Sequence, residues 1–250
     1  MSGHSKWATI KHKKGKTDAA RGKLFSKLSR AITVAAREGG ADPGMNMALA
    51  NAIEKAKGES MPKDNIERAI QRGAGGAEGV NYENIVYEGY GPAGVAIIVE
   101  VLTDNKNRSA AEVRNIFSKH GGQLAQPGAV AWGFERRGSI YVDAAKYEED
   151  DVMAAAIDAG AEDVVNSGAD GFEVRTRPND VHRVADALEK RFKLGGRRIA
   201  RIPKDSVKLQ DPEKARSFLK LMDLLEDLED VQNVHANFEI DDKLMESLVG

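Results

Sequence analysis

The sequence predicts a multidomain α+β protein: an N-terminal three-helix bundle with a basic arm, then an α+β domain interrupted by an inserted ferredoxin-like α+β domain. Three observations lead to this prediction. Positive charge is concentrated in the first 37 residues. The hydrophobic period is helical up to a glycine-rich stretch at residues 73–76 and mixed after it. Beyond residue 137 the elements follow the order β-α-β-β-α-β, which is typical of the ferredoxin-like unit.

The first element is a basic arm followed by a helix. Residues 2–16 have no apolar period and predict a mobile arm. Thr17 or Asp18 can cap a helix that continues to about residue 38, where two glycines end it. Apolar residues fall on one face of this helix, and the other face carries Lys23, Lys27, Arg30 and Arg37. We therefore expect one buried face and an opposite basic ridge.

Two further helices complete the predicted bundle. One covers residues 45–57, and the other starts at Pro62, where proline is tolerated, and ends near residue 72. The glycine-rich residues 73–76 predict a flexible hinge.

The elements after the hinge form two flanks around the ferredoxin-like unit. The first flank has strands at 85–90, 95–103 and 129–135 and a helix at 109–120, opened by a capping box that starts at Ser109. The second has strands at 206–209 and 231–239 and a helix at 212–229. Neither flank makes a domain alone, so we predict that they combine. The predicted domains are 1–76, 80–136 plus 204–250, and the inserted 137–203.

The inserted unit is predicted from alternating strand and helix patterns. Its strands lie at residues 139–143, 162–166, 171–176 and 197–202, and its helices at 147–159 and 179–192.

Composition excludes several classes of protein. The longest apolar run, residues 94–99, is far shorter than the roughly 20 residues of a membrane span. The basic start is not followed by the apolar stretch of a signal peptide. The chain has no cysteine, which excludes disulfides, thiolate zinc sites and a cysteine nucleophile. We expect a cytoplasmic protein with no membrane partner.

The charge distribution predicts a polyanionic partner. The first 37 residues hold ten Lys or Arg and one acid, Asp18, in a chain whose net charge is -2. Nucleic acid is the leading candidate, with lysines on phosphates and aromatic rings on bases. The predicted contacts are Lys6, Trp7, Lys11, His12, Lys13, Lys14, Lys16, Arg21, Lys23, Lys27 and Arg30. The alternative is a solvated tail.

A second anion site is possible beside the predicted helix at 109–120. Lys106 and Arg108 lie close to its start, where backbone N–H groups can bind phosphate. A polar loop with a helix cap explains the same residues without any ligand.

No motif in the sequence supports catalysis. Residues 89–94 match G-x-G-x-x-G by letter, but Pro92 and the following strand predict a hairpin turn. The five histidines lack metal-ligand spacing, and the acidic pairs fit solvated faces. We therefore predict a non-enzymatic protein with no cofactor, no metal and no small-molecule substrate.

Six blocks in order along the chain resemble the YebC/PmpR family. They are GHSKWATIKHKK (3–14), MPKDNIERAI (61–70), YEGYGP (87–92), LTDNKNRS (102–109), AGAED (159–163) and EDVQNV (229–234). The resemblance implies a small helical bundle followed by two α+β domains, the last inserted in the second. The chain departs from the family pattern at NMALA (46–50), where relatives carry a further basic residue.

The resemblance implies a regulator of gene expression with no agreed catalytic residues. The family label is probable transcriptional regulator, with DNA binding attributed to some members. Other members, including a mitochondrial translational activator of cytochrome oxidase, resemble ribosome-linked factors, and some bacterial relatives are implied to help ribosomes through proline-rich stretches. DNA and ribosomal RNA therefore both stay open as partners, and a protein-interaction scaffold is the third interpretation.

Overall fold

The computed structural model describes residues 18–75, 81–143, 146–166, 168 and 171–249. Its architecture is mixed α+β, so the predicted fold class is confirmed. The helices are α1 (Asp18–Gly39), α2 (Met47–Gly58), α3 (Lys63–Ala74), α4 (Lys106–Lys119), α5 (Glu149–Ala159), α6 (Val181–Leu188), α7 (Pro212–Asp227) and α8 (Asp242–Val249). The strands are β1 (Glu83–Tyr90), β2 (Ala96–Thr103), β3 (Gln123–Leu124), β4 (Phe134–Val142), β5 (Asp163–Asn166), β6 (Phe172–Thr176), β7 (Leu194–Pro203), β8 (Val207–Leu209), β9 (Val231–Ala236) and β10 (Phe238–Ile240). None of the helices within these ranges has the length and apolar character to cross a membrane.

The chain divides into two compact units. Unit 1 consists of Met1–Lys27, Glu78–Glu135 and Ile202–Gly250. Unit 2 consists of Leu28–Ala77 and Arg136–Arg201. Each unit is therefore assembled from segments that are far apart in the sequence.

Unit 1 is built on an antiparallel sheet in the order β3-β1-β2-β9. Val99 of β2 lies opposite Val234 of β9, so the two flanks of the predicted insertion share one sheet. Helices α4 and α7 bury Phe117 and Phe218 in the core of this unit. The pairing is what a split domain requires, while the predicted domain boundaries stay a prediction.

Unit 2 contains the sheet β5-β6-β4-β7, in which β5 with β6 and β6 with β4 are antiparallel pairs. In the order β4-α5-β5-β6-α6-β7, the first and third strands lie at the centre of the sheet and the second and fourth at its edges. This is the split βαβ arrangement of the ferredoxin-like unit. Helices α5 and α6 pack on the face that carries Ile140 and Val174, both fully buried.

Helix α2 is joined to the ferredoxin-like part of unit 2 by polar contacts. The Nε2 of His182 lies 2.7 Å from the Oδ1 of Asn51, and the Nε of Arg197 donates to Glu54 at 3.1 Å. Burial lowers the pKa of His182 below its ordinary value, and the nearby charge of Arg197 lowers it further. The ring is therefore neutral at pH 7 and donates its Nε2–H to Asn51.

The predicted hinge at residues 73–76 is wrong at its first two positions. Gly73 and Ala74 belong to α3, and Gly73 is buried against α1. A Cβ at Gly73 would meet the carbonyl oxygen of Thr33 and would lie 2.7 Å from the Cβ of Ala36. The glycine lets two helices approach closely, whereas residues 76–80 lie outside the described ranges.

Several predicted elements of unit 1 begin or end elsewhere. Helix α4 starts at Lys106 rather than Ser109, and most of the predicted strand 129–135 is loop and a 3₁₀ turn at Ala131–Gly133. The predicted strand 231–239 divides into β9 and β10 at Asn237. Its side chain accepts a hydrogen bond from the Ala96 N–H, and its carbonyl accepts one from the Val207 N–H. Strand β3 and helix α8 were not predicted.

Candidate nucleic-acid interface

The predicted arm residues lie outside the described ranges. They are Lys6, Trp7, Lys11, His12, Lys13, Lys14 and Lys16. Their role in binding therefore stays a prediction, and the described chain begins with the helix that follows them.

The start of α1 is largely exposed to solvent. Residues 19–23 and Ser26 are all solvent-accessible, and a Cβ at Gly22 would meet nothing within 4 Å. Arg21 and Lys23 form no ion pair with any residue of the described ranges. Their positive charges are available to a ligand at the point where the chain leaves the arm.

Further along α1 the predicted basic ridge is wrong at Lys27, whereas Lys23 and Arg37 are exposed as predicted. Lys27 is buried, and its ammonium donates to the carbonyl oxygen of Glu226 at 2.5 Å. Arg30 is only partly exposed. From Leu28 onward the helix is covered on several sides, since Thr33 donates to the Ala69 carbonyl and the glycine of α3 packs beside it. The exposed cations of α1 are therefore Arg21 and Lys23 near its start and Arg37 in its last turn.

The start of α4 differs from the prediction in both its cap and its charge. Asn105 caps the helix, because its Oδ1 accepts the Arg108 N–H at 3.1 Å. The Nη2 of Arg108 donates to Asp104 at 2.7 Å and to Asp230 at 2.8 Å. These two carboxylates raise the pKa of the guanidinium, the bond to Asp230 contributing most. Lys106 is exposed, whereas the charge of Arg108 is used within the fold.

Asp230 is the centre of a buried hydrogen-bond network. Its Oδ2 accepts from Thr103 at 2.9 Å, from Ser109 at 2.7 Å and from Arg108. Burial alone raises the pKa of the Asp230 carboxyl, but the hydrogen bonds from Arg108, Ser109 and Thr103 outweigh it and hold that pKa below its usual range. Ser109, predicted as a helix cap, is instead a buried partner of this acid. The network ties β2, α4 and the segment before β9 together.

A second buried acid, Glu88, was not singled out in the sequence. Its carboxylate accepts three backbone hydrogen bonds, from Gly128 at 2.6 Å, Val130 at 2.7 Å and Ala131 at 2.8 Å. The hydroxyl of Tyr90 donates to the Ala129 carbonyl in the same loop. No sequence pattern distinguishes such an acid from an ordinary strand residue, since its partners lie forty residues away.

Trp132 is an exposed aromatic residue that the sequence prediction placed in a strand. Its side chain projects from the turn Ala131–Gly133 with 72% of its surface exposed. A single tryptophan between an alanine and a glycine offered a weak signal, because the same pattern fits the end of a buried strand.

Similarity to known proteins is consistent along the whole chain. Residues 5–76 match the model described as TACO1/YebC protein N-terminal domain, and residues 82–238 match the one described as TACO1/YebC second and third domain. The chain belongs to the TACO1/YebC family. The family resemblance inferred from the sequence blocks is thereby confirmed.

Relatives of this family member are similar over their full lengths. A protein of Persephonella marina is 53% identical over 249 residues, covering 99% of this chain and 100% of the relative. One of Trichlorobacter lovleyi is 54% identical over 250 residues and covers both chains completely. Both relatives are named probable transcriptional regulatory protein.

A solved structure has the same fold. The crystal structure of a conserved hypothetical protein from Aquifex aeolicus is 47% identical, with a TM-score of 0.80, and covers 91% of this chain and 93% of that one.

Three of the family's sequence blocks now have a structural explanation in this chain. The block at 102–109 supplies Thr103, Arg108 and Ser109, and the block at 229–234 supplies their common acceptor, Asp230. The block at 87–92 supplies Glu88 and its loop contacts. These blocks hold unit 1 together, so they do not by themselves mark a ligand site.

Proposed function

We propose that this chain is a non-enzymatic regulator of gene expression in the cytoplasm that binds nucleic acid through its basic arm and the first turns of α1. The observation that carries the proposal is the free charge of Arg21 and Lys23, which no acid of the described ranges neutralises. These residues continue a segment with ten cations and one acid in 37 residues. Such a field attracts a phosphate backbone and releases its counterions.

DNA is the first candidate ligand, because two relatives that are 53% and 54% identical carry the name probable transcriptional regulatory protein. Sequence-specific reading of the major groove by the bundle is not part of the proposal. Lys63 of α3 pairs with Glu67 at 3.5 Å, and Arg68 donates to the Asp64 carbonyl of the same helix. The acids Asp64 and Glu67 on the same helix would repel phosphate, which makes α3 poorly suited to be a recognition helix.

Binding that depends mainly on the phosphate backbone of the nucleic acid also makes structured RNA a second candidate. An arm that contacts phosphates without reading bases can dock on ribosomal RNA as readily as on duplex DNA. We therefore keep a translational activator that eases synthesis of proline-rich stretches as the alternative. A protein-interaction scaffold, whose arm only tethers it, is the outcome if nucleic acid is not bound.

Deleting residues 2–16 tests the proposal. We expect binding to duplex DNA or to a ribosomal RNA fragment to weaken more than tenfold at about 100 mM salt. The matched control is Arg108→Gln, which removes a cation already paired with two acids. An unchanged affinity after the deletion would support the scaffold.

Sedimentation of a cell lysate separates the two nucleic-acid candidates. Movement of the protein with large ribosomal subunits at low salt, and its release at high salt, supports the translational role. Its absence from the ribosomal fractions, together with tight binding to duplex DNA, supports the transcriptional role.

A further inference from the structure

The turn at Ala131–Gly133 presents a large aromatic surface to solvent. Trp132 is 72% exposed, and tryptophan is more often largely buried in a folded protein. An exposed ring of this size is a common feature of binding surfaces.

The loop that carries Trp132 is held rigidly by the protein. Glu88, only 6% exposed, accepts hydrogen bonds from the backbone N–H groups of Gly128, Val130 and Ala131. Bonds to a charged acceptor are stronger than those between neutral groups. The residue before the tryptophan is therefore fixed by a carboxylate in the sheet beneath it.

The apolar side of the same loop is anchored as well. Val130 and Phe134, on either side of the turn, are buried against Ile98 of β2. The loop thus buries its neighbouring side chains and leaves Trp132 outside.

The indole itself is oriented by a hydrogen bond. Its Nε1–H donates to the carbonyl oxygen of Ala129 at 3.0 Å. The only polar group of the side chain is therefore already satisfied within the loop. What the ring offers a partner is its aromatic face, which suits stacking on a nucleobase because every base has a π-face.

The backbone of an exposed lysine is bonded to the turn. The backbone N–H of Lys204 donates to the Gly133 carbonyl at 2.9 Å, and the Lys204 side chain is exposed. Lys204 forms no ion pair with any residue in the described ranges. An aromatic ring and a lysine that are attached to the same turn supply the two kinds of contact, stacking and phosphate, that bind single-stranded nucleic acid.

We propose that Trp132 stacks on an unpaired base of a bound nucleic acid while Lys204 contacts an adjoining phosphate. This inference rests on the proposed function and adds a second contact, in unit 1, that engages single-stranded rather than duplex segments. A protein partner is the competing occupant. The base is favoured because the adjacent charge is a cation and because the indole N–H is not available for the hydrogen bond that buried interface tryptophans usually make.

Fluorescence can follow this contact directly. The chain has two tryptophans, so Trp7→Phe leaves Trp132 as the single indole. We expect a single-stranded oligouridine to quench the emission of this variant as it binds, and a blunt duplex of equal length to leave the emission unchanged at saturation. Unchanged emission with the bound single strand would overturn the inference.

Affinity measurements give an independent test. Trp132→Ala should weaken oligouridine binding about tenfold, whereas Trp132→Phe should retain most of it because a ring remains. Lys204→Gln should weaken single-strand binding severalfold. Ile157→Ala is the matched control, since this apolar side chain is 66% exposed on α5 and should be neutral.

The outcomes separate this inference from the proposed function. If the full-length protein binds oligouridine in a salt-dependent way but Trp132→Ala binds equally well, the stacking contact is wrong and the cationic arm suffices. If neither single strands nor duplexes bind, the proposed function fails first. If Trp132→Ala instead removes binding to a protein while oligonucleotide affinity is unchanged, the competing occupant is correct.

Discussion

The two helix starts that carry basic residues differ in what surrounds their charge. At the start of α4, Arg108 is bonded to Asp104 and Asp230, and Asn105 caps the helix. At the start of α1, Arg21 and Lys23 have no acidic partner among the described residues. The sequence predicted both as anion sites. The comparison teaches that a cation near a helix start becomes a candidate contact only when the fold leaves its charge unneutralised.

Removing Asp230, the acid that pairs with the start of α4, should give the largest loss of stability. Asp230→Ala leaves Thr103 and Ser109 without their common acceptor, while Arg108 can turn to solvent. We expect a loss of about 2 kcal/mol in the free energy of unfolding, measured with denaturant. Nucleic-acid affinity should not change, because Asp104 still neutralises Arg108. Asp227→Ala, an exposed acid nearby, is the control and should cost less than about 0.5 kcal/mol. An intact stability in Asp230→Ala would mean that the network is not needed for the fold.

Neutralising the cations of α1 should have the opposite pattern. Arg21→Gln with Lys23→Gln removes two charges that we expect to lie against phosphates, and affinity at about 100 mM salt should fall about tenfold. Unfolding free energy should be unaffected, because both side chains are exposed. The matched pair Lys214→Gln with Lys220→Gln removes two exposed cations from α7. An equal loss in both pairs would show that only net charge matters.

The pH dependence of the unfolding free energy should show a smaller effect of the Asp230 network. The pKa of Asp230 is lowered in the folded state, so its ionised form favours folding above the ordinary carboxyl pKa. That contribution should disappear as the pH falls through the lowered pKa. Asp230→Asn should therefore show a flatter loss of stability in acid than the unaltered protein. Parallel curves for the two proteins would contradict this account.

The smallest effect is expected at the exposed glycine of α1. Gly22→Ala should stabilise the protein by about 0.8 kcal/mol, because the added methyl group meets nothing and alanine favours a helix. Gly73→Ala is the informative control, since its methyl group would collide with α1 and should destabilise the protein. If both substitutions changed the unfolding free energy in the same direction, the inferred difference in packing between the two ends of α1 would be wrong.

Sequence patterns predicted the fold class well because they depend on local periodicity. The helical period and glycine stops located α1, α2 and α3, and the β-α-β-β-α-β order located the ferredoxin-like part. The predicted helix at 212–229 corresponds to α7, which Asp211 caps by accepting the N–H groups of Glu213 and Lys214.

The candidate site was predicted less well because it depends on distant partners. Lys27 was predicted on an exposed face, but it is buried and donates to the Glu226 carbonyl. Arg108 was predicted to be available to an anion, but the fold pairs it with Asp230, which is 122 residues further along the chain. Trp132 was predicted in a strand, but the hydrogen bond from the Ala131 N–H to Glu88 holds its segment in a turn. In each case a hydrogen bond or ion pair with a distant segment determines whether the side chain is held within the fold or exposed to a ligand.

The salt dependence of nucleic-acid affinity tests the central claim most directly. For the full-length protein we expect affinity to fall around a thousandfold between about 50 and 200 mM salt, as for roughly six phosphate contacts. Arg108→Gln should keep this slope, while replacing Lys11, Lys13, Lys14 and Lys16 by glutamine should make it much shallower. An unchanged slope in the lysine variant, or a flattened slope in Arg108→Gln, would contradict the account.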